Sequence, residues 1–218
     1  MTMNTTGIIE LHGELHGDLP VDQAPRETGR DRVNATLGMI LFIGSWTMAF
    51  GTLFLSFLVL RDKIAVWPPA GIALPSATIA SFATLVLAAS SVFVERGSRS
   101  LAVAPGADSG QRSSFNSLWI TGMLLGLGFA LLQAWLWYDL ILAGRTQTSG
   151  LYESLFFGLT WVHAAHVLVG LFLLGWALIG SKLGRYGPER RSFISNAALF
   201  WHFVGIVWLF LFLGFFVF

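Results

Sequence analysis

The chain has 218 residues, of which 55% are hydrophobic and only 11% charged. A typical soluble domain carries about 25% charged residues, so the composition argues against a soluble enzyme, a nucleic-acid binder and a disordered chain. The net charge of +1 gives no bulk attraction to nucleic acid, and the absence of cysteine rules out a disulfide framework, a thiolate metal site and an iron–sulfur cluster.

Residues 1–33 form a polar tail that holds six of the twelve acids, Glu10, Glu14, Asp18, Asp22, Glu27 and Asp31. It has no apolar run, so a cleavable signal peptide is not expected. Five apolar segments follow, at about 34–60, 71–94, 117–143, 151–180 and 193–218. The third carries only Asp139, near its end, and the fourth only Glu153, near its start. Each exceeds the ~20 residues needed to cross ~30 Å of hydrocarbon. Lipid cannot satisfy exposed backbone, so these segments predict an all-α integral membrane protein, a five-transmembrane-helix bundle spanning residues 34–218.

The connections fit that division. Arg61-Asp62-Lys63 leads into Trp67-Pro68-Pro69, a short stiff loop. Residues 95–116 mix Arg, Ser, Gly and Pro; residues 144–150 are a short polar turn; residues 181–192 are basic. Ten Lys and Arg fall on the side of the N-terminus and three, Arg61, Lys63 and Arg145, on the other. The positive-inside rule then places the N-terminus in the cytoplasm and the C-terminus in the periplasm.

An ionisable group inside lipid is a functional candidate by default. At depth the sequence offers Gln133, His163, His166 and His202, and no clearly mid-membrane Asp, Glu, Lys or Arg. His163 and His166 are three apart and share a helix face. His202 lies within ~7–11 Å of their depth at ~1.5 Å per residue. Three readings stand. Neutral imidazoles can tie the fourth and fifth helices together, with Trp201 and Phe203 flanking the contact. They can meet a lipid headgroup or water. They can hold a metal or haem, for which only Gln133 and Glu153 are further donors. His12 and His16 in the tail stand in His-Gly-Glu-Leu-His order, which is not the zinc-protease pattern, and read as incidental spacing. Arg185, Arg190 and Arg191 are candidate lipid-phosphate contacts, beside the plainer reading as topology-setting charge.

Two stretches carry a resemblance. The fourth segment runs Tyr152-Glu-Ser-Leu-Phe156-Phe157 and then Thr160-Trp-Val-His163-Ala-Ala-His166-Val167. The fifth reads Trp201-His202-Phe203-Val204-Gly205-Ile206-Val207-Trp208-Leu209. Both resemble subunit III of haem-copper (cytochrome c or quinol) oxidases. Gly38-Met39-Ile40-Leu41-Phe42-Ile43, Trp67-Pro68-Pro69-Ala70-Gly71-Ile72 and Leu131-Leu132-Gln133-Ala134 extend the likeness over residues 34–218, in order.

The resemblance implies the five-helix bacterial form of a family whose long form has seven helices. It implies a multi-pass protein of the bacterial inner (cytoplasmic) membrane. It implies no catalytic site, haem or copper in this chain, the haem and copper belonging to subunit I and often subunit II. The chain would stabilise subunit I, hold phospholipid and support proton uptake and oxygen access. Accessory proteins encoded with nitric oxide reductases are similar as well. An independent small transporter is the remaining alternative, opposed by the lack of mid-membrane charge and of inverted repeats. The family usually carries acids where Trp46, Leu136, Ser195 and Gly205 stand here. Their joint loss puts a buried-carboxylate role in doubt and makes Trp46 a volume-filling or lipid-facing position.

Overall fold

The computed structural model describes residues 27–63, 75–101, 109–183, 185–186 and 191–217, with side chains omitted for 109–112. Among these residues the chain forms five long helices and no strand: α1 Gly29–Asp62, α2 Ala77–Ser100, α3 Ser109–Leu142, α4 Leu151–Lys182 and α5 Ser192–Phe212. A π-helical turn, Leu213–Val217, extends α5. All five helices are long and apolar enough to cross a membrane, and the chain is a multi-pass membrane protein.

The helices outrun the apolar segments at several ends. α3 begins at Ser109, about two turns before the apolar run, and α2 continues past Val94 through Glu95 and Arg96 to Ser100. Outside hydrocarbon, charged and polar residues are no barrier to a helix, because hydropathy locates the bilayer and not the hydrogen-bonded ladder. Local chemistry fixes other ends. Thr28 and Asp31 make a reciprocal capping box at the start of α1. Ser76 caps α2 through Ile79 N–H. α5 has no cap from its own chain end. Instead Glu27, on the approach to α1, accepts from Ser192 N–H at 3.4 Å and Ser192 Oγ at 2.7 Å. A carboxylate there also complements the helix dipole.

α2, α3, α4 and α5 make a four-helix cluster in which α2 packs most extensively on α3, and α5 packs on both α4 and α2. α1 lies outside this cluster against α5, with a small contact to α4. It is the most exposed of the five. Its hold is local. Asn196 Nδ2 donates to Ala35 O at 3.1 Å near one end. At the other, Phe57 meets Phe215 with ring centroids 4.6 Å apart. Gly214 permits that approach, since a Cβ there would lie 2.9 Å from the Phe54 ring.

Candidate functional site

The interior of the cluster is joined by four indole N–H groups, each donating to a helix other than its own. On α3, Trp119 Nε1 donates to Leu174 O of α4 at 2.9 Å and Trp137 Nε1 to Thr160 Oγ1 of α4 at 3.1 Å. On α5, Trp201 Nε1 donates to Ser90 Oγ of α2 at 3.1 Å and Trp208 Nε1 to Thr84 Oγ1 of α2 at 2.9 Å. Ser90 Oγ in turn donates to Gly122 O of α3 at 2.7 Å. Three helices therefore meet through one hydroxyl.

Trp201 is fully buried, and glycines make its slot. A Cβ on Gly126 of α3 would stand 2.5 Å from Trp201 Cζ2, and one on Gly170 of α4 would stand 2.7 Å from Trp201 Cε3. Small residues at helix contacts let membrane helices approach closely. Gly122 and Gly126 are four apart on one face of α3 and both are required bare, Gly122 against Val94 of α2.

The histidines separate. His163 is buried between Phe129 of α3 and Trp208 of α5, with ring centroids 6.2 and 5.5 Å away. His166 turns to α1, where Trp46 and Phe50 stand edge-on at 4.1 and 5.1 Å. Its Nδ1 lies 2.7 Å from Val162 O; a carbonyl only accepts, so that nitrogen carries the proton. His202 is half-exposed and faces α2, with Nε2 3.2 Å from Glu95 Oε2. Of the three histidines expected to tie the fourth and fifth helices together, His163 of α4 contacts Trp208 of α5, whereas His166 faces α1 and His202 faces α2. The reason is angular. His163 and His166 are about 300° apart around α4, which leaves ~60° between them, enough to direct one to α3 and α5 and the other to α1.

Other sequence candidates fall as follows. Phe203 packs on Phe50 of α1 at 6.4 Å, while Trp201 belongs to the Ser90 junction. Gln133 is buried, with neither amide atom hydrogen-bonded, as are both ring nitrogens of His163. Gln133 sits between Phe129 and Trp137 on α3, the residues that contact His163 and Thr160 on α4. Glu153 is buried and paired with Arg145 Nη1 at 2.7 Å. Arg185 is exposed and Arg191 half-buried; Arg190, His12 and His16 lie outside the described residues. Of the positions lacking the family's acids, Leu136 is buried, Ser195 exposed and Gly205 half-buried beside Ser91 of α2.

Sequence reasoning missed Ser90 and Glu95. The signals were the four-residue spacing of Gly122 and Gly126, which marks a close helix contact, and the continuation of α2 past its apolar run, which brings Glu95 level with His202. Among the described residues no group of three or more His, Asp or Glu converges to hold a metal ion.

This geometry defines a class, a five-helix membrane bundle whose buried indole donors join its own helices. The family model described as cytochrome c oxidase subunit III matches residues 27–218, and the chain belongs to that family. It is 28% identical to cytochrome c oxidase subunit 3 of Thermostichus vulcanus over 177 residues, covering 81% of this chain and 83% of that relative. It is 34% identical to the subunit 3 of Danio rerio over 183 residues, covering 81% of this chain and 67% of the other. The subunit 3 of Mus musculus is 32% identical over the same length, with the same coverage.

Proposed function

We propose that this chain is the non-catalytic subunit III of a respiratory haem-copper terminal oxidase in the bacterial inner membrane. It packs on subunit I, with subunit II in the same complex, orders phospholipid, and sustains proton uptake and oxygen access. Haem and copper reside in the partner subunits. The observation that carries this reading is the use of the polar interior: Trp119, Trp137, Trp201 and Trp208 each spend their N–H on a neighbouring helix. A bundle so braced is a scaffold, and its outward apolar faces suit subunit I and lipid.

The orientation in this reading has the N-terminus cytoplasmic and the C-terminus periplasmic, supported by ten basic residues against three. Arg185, Arg190 and Arg191 then meet the cytoplasmic lipid phosphates. His163, His166, His202, Trp201, Phe203 and Gln133 act in helix packing, and Trp46 fills the place of an acid.

The replacement of four family acids by Trp46, Leu136, Ser195 and Gly205 favours one second reading, an accessory subunit of a nitric oxide reductase. Deleting the chain from its native host and assaying membranes for both substrates separates the two. The oxidase reading expects oxygen turnover to decay faster during catalysis, restored by re-expression. An effect confined to nitric oxide consumption overturns it in favour of the second reading.

A further inference from the structure

Gln133 of α3 and His163 of α4 are 2% and 1% exposed, and neither the amide atoms of the first nor the ring nitrogens of the second have a hydrogen-bond partner. The two residues lie at one level. Gln133 stands on the buried stripe of Phe129, Leu136 and Leu140, one turn from Phe129 and one turn from Trp137. Phe129 meets the His163 ring at 6.2 Å, and Trp137 Nε1 donates to Thr160 Oγ1, three residues before His163. Gln133 is therefore held against the turn of α4 that runs from Thr160 to His163. We propose that a buried water lies between the two side chains and bridges the Gln133 amide to a ring nitrogen of His163.

The surroundings supply little else. Gln133 is nine residues from the end of α3 and His163 twelve from the start of α4, ~14 and ~18 Å along the helix axes. At that depth neither bulk water nor a lipid headgroup offers a partner. The bordering indoles have spent their N–H groups, Trp137 on Thr160 and Trp208 on Thr84, and the Phe129 and Leu136 side chains present only carbon. Buried polar groups in folded proteins are nearly always paired, with protein or with ordered water. The chemistry of the pair suits water. The amide carries two N–H donors and a carbonyl, and a neutral imidazole one N–H and one bare nitrogen. A water has two protons to give and two lone pairs, so it bridges the pair in either tautomer of His163. An imidazole and an uncharged amide, with no carboxylate beside them, are too few and too weak to hold a metal ion. The bridge falls between the two direct bonds that join α3 to α4, Trp137 to Thr160 and Trp119 to Leu174, and makes a third tie at mid-bundle.

The test is electron cryo-microscopy of the intact complex isolated through this chain, at a resolution that shows ordered water. The unaltered protein should show a compact density peak at roughly 2.7–3.2 Å from both the Gln133 amide and a His163 ring nitrogen. Gln133→Leu and His163→Phe should each lose that peak. No peak in the unaltered map overturns the proposal, as does a direct Gln133–His163 hydrogen bond or a peak that persists in both variants. Thermal unfolding gives a second reading. Each single change strands the other residue, so Gln133→Leu combined with His163→Phe should lower Tm by less than the sum of the two single falls. Strict additivity would mean that the two side chains share no partner, and it also overturns the proposal. If either variant fails to assemble, the unaltered map alone decides. The proposal holds whichever complex the chain joins, and the haem content of the same preparation reports on that assignment separately.

Discussion

Trp46 of α1 meets His166 of α4 edge-on, with ring centroids 4.1 Å apart. The resemblance implied an acid at this position, and here an indole meets the imidazole instead. His166 keeps its proton on Nδ1 for Val162 O, so it needs no carboxylate to hold its orientation. α1 docks mainly on α5, and this pair supplies its contact with α4. Trp46→Ala should lower the stability of the purified complex by about 1 kcal/mol, the scale of an aromatic pair, read as a fall in Tm. Trp46→Phe should recover most of the loss.

Gly126 and Gly170 make the slot for Trp201. Gly126→Ala would bring a Cβ to 2.5 Å of the indole, and an added methyl in a packed core costs roughly 1–3 kcal/mol. Gly158, exposed on α4 with nothing within 4 Å of its Cβ position, is the control. Thermal unfolding of Gly126→Ala, Gly170→Ala and Gly158→Ala should show two destabilised variants and one unaffected or slightly stabilised.

Ser90 joins α2, α3 and α5 through one hydroxyl. Ser90→Ala preserves volume but leaves the buried Trp201 N–H without its acceptor, at roughly 1–3 kcal/mol. Ser90→Ala combined with Trp201→Phe should cost less than the sum of the two single changes, since the second removes the orphaned donor. Strict additivity in that double-mutant cycle would mean that the bond contributes nothing.

At the α3–α4 turn the buried Glu153 pairs with the partly exposed Arg145, 2.7 Å apart. Arg145→Ala leaves a buried carboxylate without its partner and should cost roughly 1–3 kcal/mol. Arg145→Leu with Glu153→Leu should be far milder, because it removes both charges. Complex yield and Tm of the three variants give the comparison.

Much of the fold was legible in the sequence because lipid imposes a strict rule: five apolar runs long enough to cross a bilayer become five helices. Their ends were less legible, as α3 shows by starting at Ser109, since polar residues continue a helix outside hydrocarbon. The site was read less well. His163, His166 and His202 were recognisable as the polar residues at depth, but their directions depend on helix rotation, and a 60° difference sends neighbours to separate helices. The Ser90 junction was hidden for another reason. Serine is common in apolar helices, and only its place beside Gly122 and Trp201 gives it a role. The burial of Glu153 was not legible either, because the turn that folds Arg145 back over it is tertiary.

The central claim is that this chain is a scaffold within a haem-copper oxidase. Its most direct test is isolation of the chain from native membranes in gentle detergent, followed by a reduced-minus-oxidised spectrum and an oxygen-consumption assay on the eluate. The account expects haem bands in stoichiometric amount, a large His-rich multi-span partner and oxygen turnover. A colourless eluate holding this chain alone, under conditions that keep other respiratory complexes intact, would contradict it.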